Sequence, residues 1–383
     1  MFEIVDELSS FRADVRAFFS AHVTADMRAR CRSTGTFHDD DLYRELGLRN
    51  WIALTWPTEI GGLGLGPLEA LVFAEEAHRA GAPVTILGTT LMVGNTIRAA
   101  GSATQLADIL PRIVAGTLTA ALGYTEPESG SDVAAARTSA VRDGENWIIN
   151  GQKVFTTLAH VASHVFLLCR TKTGSKYRGL TLFLVPMNTP GIDVEPIYTL
   201  GGERTNSTYY RDVVVPDSCR IGGVDEGWSV MKAALAYERG GSMGGAVELN
   251  AVADHATAWA RGQTSLSGSQ ESLLAELLVD AEVGRLLDLR VRSMVMNDEL
   301  PVVEGSMQKL FVSESLVRSS ARLLDLLGPL GVLAADGDED DPRGYAEQLY
   351  RHAVVTTIAG GTSEIQRSII AENGMNLPRS RGQ

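Results

Sequence analysis

The chain has 383 residues, enough for two or three domains at about 100 to 200 residues each. Its 34 Lys and Arg against 47 Asp and Glu leave a formal net charge of −13, a field that repels nucleic acid and anionic membrane surfaces while still allowing a small anion to be held locally at a helix N-terminus. Hydrophobic residues at 44% and charged residues at 21% exclude wholesale disorder and a fibrous rod. Cys31, Cys169 and Cys219 lie far apart without a CxxC pair, so neither a disulfide framework nor a cysteine zinc site is supported. The opening MFEIVDELSS is acidic where a signal peptide is basic, and no run of about 18 apolar residues occurs. The expected setting is cytoplasmic, with no membrane span.

The periodicity changes twice along the chain. Residues 1–119 read as an α-helical domain, with segments such as Leu68 to Ala80 placing apolar residues three and four apart. Between them, Trp56 to Gly64 is a glycine-rich turn that lacks the GxGxxG spacing of a dinucleotide fold. Residues 120–226 read as a β domain. Trp147-Ile148-Ile149 and Gln152 to Phe155 flank Asn150-Gly151, which predicts a hairpin turning at that pair. The short runs Val165 to Cys169, Leu180 to Val185, Val194 to Tyr198 and Tyr209 to Val215 follow, and together they predict a small antiparallel barrel. Residues 227–383 return to the helical period, with four long segments, the last broken at Gly360-Gly361, which predict a four-helix bundle. The fold class is therefore α+β multidomain: N-terminal helices, a middle antiparallel β-barrel and a C-terminal four-helix bundle.

Three constellations carry candidate chemistry. Gly123 to Asp132 is rich in small and hydroxylated residues that can expose consecutive backbone N–H groups to a phosphate or a heterocycle, although the same composition also makes a plain turn. Ala359 to Gln366 places Ser363 and Gln366 in capping-box spacing after two glycines, either an anion-binding helix start or an ordinary capped helix. Trp228, Met231, Leu235 and Glu238 recur at helical spacing, so Glu238 falls on an apolar stripe. Burial there raises a carboxyl toward the range of a general base, and an ion pair with a neighbouring arginine is the alternative. The acidic start His38 to Asp41 reads as a hydrophilic helix beginning. Asp336 to Asp341, with Asp341 where a calcium loop needs glycine, reads as a solvated connection.

Tyr124-Thr125-Glu126-Pro127-Glu128-Ser129-Gly130-Ser131-Asp132 and Gly360-Gly361-Thr362-Ser363-Glu364-Ile365-Gln366-Arg367 resemble the two signatures of the acyl-CoA dehydrogenase family. Asn150 to Lys153, Gly202 to Asn206 and the Pro57 to Gly64 turn extend the likeness along the chain in order. The resemblance implies FAD and α,β-dehydrogenation of an acyl thioester, carried by CoA or by an acyl carrier protein, with an electron-transfer flavoprotein as acceptor; an oxidase of the same fold is the alternative. It places Tyr124 and Thr125 at the flavin ring edge, Ser131 near the pyrophosphate and the acyl carrier, Phe155 against the ring where many relatives have Trp, and Thr157 at flavin N5. Thr362 and Glu364 would hold the rest of FAD, and the Gly360 N–H would polarise the thioester carbonyl.

Two departures shape that expectation. Many relatives carry the catalytic glutamate immediately before Gly-Thr-Ser, where this chain has Gly360, which has no side chain to accept a proton. A smaller branch carries it on the first bundle helix before an arginine, and Glu238-Arg239 matches that position. Glu238 is the expected base, with Arg239 toward the substrate. Arg261 to Thr264 and Asp325 to Gly331 differ from the segments that many homotetrameric relatives use across subunits. The chain also resembles dehydrogenases of actinobacterial type, some of which pair unlike subunits, so a homo-oligomer such as a tetramer and an α2β2 heteromer are both compatible.

Overall fold

The computed structural model describes residues 7–232, 245–297, 299–333 and 342–378. Six helices come first: α1 (Glu7–His22), α2 (Ala25–Thr34), α3 (Asp40–Leu48), α4 (Pro67–Arg79), α5 (Thr85–Ala100) and α6 (Ala103–Val114). Their starts follow local chemistry. The Thr24 and Asp39 side chains accept from the backbone at Met27 and Leu42, Ser102 and Gln105 form a full capping box, and Pro67 opens α4. Each side-chain cap satisfies an otherwise orphaned N–H and contributes about 1 kcal/mol. The acidic run at Asp39 is thus a helix start. Buried Glu76 on α4 accepts from Arg12 and Arg16 of α1 at 2.8 to 2.9 Å. Burial alone would raise its carboxyl, but the two guanidinium groups hold it below the ordinary range.

The glycine-rich turn after α3 wraps around one buried indole. Gly64 N–H donates to the Trp56 carbonyl at 2.8 Å, and a Cβ on Gly62 would fall 2.1 Å from that same carbonyl oxygen. Only glycine permits this approach. Trp56 joins a core that runs from the N-terminal helices into the inner face of the sheet through Ala120, Phe166 and Leu182.

Eight strands build one sheet: β1 (Ala120–Gly123), β2 (Ser139–Asp143), β3 (Asn146–Lys153), β4 (His164–Arg170), β5 (Leu180–Pro186), β6 (Ile192–Tyr198), β7 (Arg204–Pro216) and β8 (Arg220–Ile221). They pair in the order β6-β7-β3-β2-β4-β5-β8, antiparallel except where β1 and β2 meet β4 in parallel. The expected turn at Asn150-Gly151 is not there. β3 runs straight through that pair with a bulge against β7, and the turn falls between Asp143 and Asn146 instead, at Gly144 with φ 59°. Asn150 is held in the strand by a two-way bond with Asp212 across the sheet, and a Cβ on Gly151 would meet Thr138 Oγ1 at 2.5 Å. The Asn-Gly pair therefore serves a bulge with a close crossing rather than a hairpin.

Helical residues 227–232 lead from the sheet. The C-terminal helices are α7 (Gly245–Arg261), α8 (Gly268–Met296), α9 (Val302–Leu327), α10 (Pro342–Thr356) and the short α11 (Ser363–Ile369). Leu249, Leu277, Leu316, Leu323 and Leu349 from four of them share one core, as a bundle requires. The segment from Asp336 to Asp341 lies outside the described residues.

One loop ties the three regions together. The Arg204 N–H donates to Gly35 O at 2.8 Å, and Arg351 of α10 donates to Leu200 O at 2.6 Å. His352 Nδ1 stands 3.2 Å from Glu203 Oε1. Burial alone would push the His352 imidazole down, but Glu203 together with the charge of Glu248 on α7 lifts it to about 9. The folded value then lies above the ordinary value of about 6.5, so this stabilisation is complete below about pH 6.5 and disappears as the pH rises through about 9. Melting curves of the wild type and His352→Gln, followed from about pH 6 to pH 10, are expected to converge at the alkaline end; a constant separation would contradict this assignment.

Candidate active site

The end of β1 and the end of β3 lie side by side and are joined by a buried charge pair. Lys153, fully buried at the last position of β3, donates from Nζ to Glu126 Oε1 at 2.8 Å and to Tyr124 O at 3.2 Å. Glu126 accepts further N–H bonds from Arg137 and Thr138 at 2.7 and 2.8 Å, and its own backbone pairs both ways with Ser129. Burial lowers Lys153, while on Glu126 the tendency of burial to raise the carboxyl is outweighed by the lysine charge and the two amides, leaving it low. At 2.8 Å the two side chains form a buried ion pair, each the condition for burying the other. The Val154 N–H closes the junction by donating to Thr125 O at 2.9 Å.

This junction presents the expected ring-contacting residues. Tyr124 and Thr125 are half-buried beyond β1, whereas Phe155 and Thr157 are exposed beyond β3. Phe155 is 62% exposed with φ 55°, a large apolar ring held outward. Thr157 Oγ1 lies 3.1 Å from Thr205 Oγ1 on β7. Ser131 is exposed at the end of the same glycine-containing turn, and buried Ser129 Oγ has no partner among the described residues.

The second signature occupies the connection between α10 and α11. Gly360 and Gly361 take φ 67° and 92°; Gly360 is exposed, and Gly361 O accepts from Lys309 of α9 at 2.7 Å. The helix cap sits one residue earlier than the sequence spacing suggests. Thr362 is the N-cap and accepts from the Ile365 N–H, while Ser363 is the first helical residue and is buried. With Thr362 as N-cap, Gln366 falls one residue past the capping-box place, and it turns back to donate to Gly360 O and Gly361 O rather than reaching Ser363. Glu364 is exposed, and its carboxyl is held low by backbone and Thr362 hydrogen bonds. Glu238 and Arg239 lie outside the described residues.

The structure thus brings Tyr124, Thr125, Phe155 and Thr157 together at one rim, while Gly360, Thr362 and Glu364 belong to the bundle side. Lys153, Thr205 and Asn206 fall inside family-like motifs, but nothing in their spacing reveals a buried clamp. Among the described residues there is no group of three His, Cys, Asp or Glu placed to hold a metal, and no helix is long and apolar enough to cross a membrane.

A helical domain, a mostly antiparallel sheet carrying a hydroxyl-lined rim, and a helical bundle define an acyl-CoA dehydrogenase fold. The chain belongs to the acyl-CoA dehydrogenase family: the N-terminal, middle and C-terminal domain models match residues 5–117, 121–213 and 225–375. It is 34% identical to Acyl-CoA dehydrogenase FadE29 of Mycobacterium tuberculosis over 98% of both chains. Among solved structures it resembles the Tcur3481-Tcur3483 steroid ACAD, at TM-score 0.90 and 33% identity over 98% of this chain and 99% of that one. It also resembles the ChsE4-ChsE5 complex from Mycobacterium tuberculosis, at TM-score 0.90 and 32% identity over 100% of both chains.

Replacing Lys153 by Met leaves Glu126 buried without its cation and is expected to cost about 3 to 5 kcal/mol in denaturant unfolding. Truncation of exposed Lys176, paired with Asp132 at 2.8 Å, is expected to leave the midpoint unchanged. Equal effects of the two would contradict the buried clamp.

Proposed function

We propose that the chain is an FAD-dependent acyl-CoA dehydrogenase that introduces an α,β double bond into an acyl thioester, with Glu238 as the base. The observation that supports this most is the junction itself: exposed Phe155, at positive φ, and exposed Thr157 follow β3, half-buried Thr125 follows β1, and the Lys153–Glu126 pair and the Val154 N–H bond to Thr125 O join the two strand ends. A flat heteroaromatic ring with polar edges fits such a set, since an exposed aromatic covers its face while hydroxyls and amides meet its carbonyl and nitrogen edges. The donor set therefore suits FAD. Tyr124 and Thr125 would meet the ring edge, with the Thr125 hydroxyl toward the N1 and O2 side, and Thr157 the N5 side. Ser131 would lie at the pyrophosphate, with Thr362 and Glu364 holding the remainder. When bound, FAD supplies the acceptor for the hydride that leaves the β-carbon.

The chain's own residues do the acid–base work. Glu238 takes the α-proton, and Arg239 and Ser131 orient the acyl carrier. Gly360 cannot be a base, but its exposed backbone with φ 67° leaves its N–H able to donate to the thioester oxygen and so acidify the α-carbon.

The acyl group we assign is bulky. That reading draws on the position of the base on the first bundle helix and on relatives named as steroid ACADs. The ChsE4-ChsE5 complex, which carries two names, favours an α2β2 assembly with a homologous subunit over a homo-oligomer. Electron-transfer flavoprotein is the proposed acceptor, the cytoplasm the proposed location, and 1–119, 120–226 and 227–383 the proposed domain limits.

Glu238→Gln is expected to keep bound flavin and lose anaerobic bleaching by substrate, with kcat falling at least about a thousand-fold, within the range for removal of a general base. Full bleaching in that variant would overturn the assignment. The same panel, run with acyl-CoA and acyl-carrier-protein thioesters and then in air, separates the carrier and tests for an oxidase.

A further inference from the structure

The turn that carries Phe155 and Thr157 is strained at both ends. Phe155 has φ 55° and Leu158 has φ 61°, the left-handed region that costs a residue with a Cβ roughly 1 to 2 kcal/mol. Neither is Asn, Asp or Gly, the residues that reach this region most readily. Two such residues within four positions persist only where the surroundings over-determine the backbone.

Asn206 on β7 supplies that constraint. It is fully buried and grips Thr156 from both sides: the Thr156 N–H donates to Asn206 O at 2.9 Å, and Asn206 Nδ2 donates to Thr156 O at 3.0 Å. The amide orientation is fixed by its neighbours, because Thr156 O can only accept and the Arg204 Nε, 3.0 Å from Asn206 Oδ1, can only donate. The second Nδ2 hydrogen points to His160 Nδ1 at 3.2 Å. That nitrogen must therefore accept, which places the ring proton on Nε2, where it donates to Thr36 Oγ1 at 2.9 Å. Burial and the Arg204 charge push the imidazole down to about 4, consistent with a neutral ring in this tautomer. Both ends of the amide are satisfied, and the chain of bonds runs from the α2–α3 connection to the turn.

We propose that Asn206 is a positioning residue for the flavin site: through Thr156 it holds the strained turn so that Phe155 and Thr157 face the ring, and His160 with Thr36 fixes the amide's rotation. The inference rests on the flavin reading given above, but the clamp is a property of the apoprotein and can be read without cofactor.

The test uses the full chain, wild type and Asn206→Ala, with Thr36→Val as a milder second variant that removes only the acceptor for His160 Nε2. Amide hydrogen exchange of residues 155–158 is measured in flavin-free protein, and FAD affinity and the visible spectrum after reconstitution. Expected are faster amide exchange at Thr157 and Leu158, in the turn that the lost Asn206 Nδ2 bond no longer holds, while the Thr156 amide keeps the Asn206 main-chain O as acceptor, an FAD Kd raised about ten-fold or more, and an altered visible band in Asn206→Ala, with a smaller change of the same sign in Thr36→Val. Should Asn206→Ala fail to fold, the Thr36→Val result decides. Unchanged exchange, affinity and spectrum in a folded variant overturn the proposal. A wild type that protects Thr156 but binds no FAD would sink the flavin reading while leaving the clamp intact.

Discussion

The ion pair between Lys153 and Glu126 sits where two strand ends would otherwise diverge, and most of the site depends on it. A buried ammonium and a buried carboxylate are each expensive to remove from water, and each survives here because the other is within 2.8 Å and because two amides and a carbonyl absorb the remaining hydrogen-bonding capacity. An apolar pair of the same volume could pack in its place. It would not dictate that the Tyr124 carbonyl, the Arg137 amide and the Thr138 amide converge on one point. The pair therefore gives geometry more than net stability, and the geometry is the separation between the two lips of the rim.

Below that junction, polar satisfaction is carried across the sheet rather than along it. Asn150 with Asp212 secures the bulge in β3, Asn206 with Thr156 secures the turn after it, and Thr205 meets Thr157. β7 backs the whole of this edge, which explains its length of 13 residues in a sheet whose other strands are shorter. It also begins at the loop that touches both the N-terminal helices and α10, so the strand that supports the rim is anchored by both helical regions.

Much of this is legible in the residues. Helical spacing, the alternation and spacing of short β-branched runs, and caps such as Asp39 and Ser102 follow from local chemistry, and so periodicity alone conveys the order of the three regions. The two local mismatches share a cause. Asn150-Gly151 has the strongest short turn signal, and Ser363 with Gln366 has capping-box spacing, yet in each case a competing partner claims the side chain: Asp212 across the sheet in one, the carbonyls of Gly360 and Gly361 in the other. Local propensity cannot see such competitors. The same blindness hides Lys153 and Asn206, whose importance comes from burial against partners distant in the sequence, Glu126 and Tyr124 for the one and Thr156 and His160 for the other.

Phe155 shows what this rigidity means before any ligand arrives. Its benzyl side chain is 62% exposed on a backbone that cannot readily relax. Here the left-handed φ and the bonds on Thr156 fix the direction in which the Phe155 side chain leaves the backbone, so the folded chain offers the ring from one side of the turn. Covering it removes roughly 25 cal/mol of unfavourable hydration per Å². Because the backbone of the turn is already set, a ligand that meets the ring has only the ring's own torsions to order, which keeps the entropic cost of covering it small.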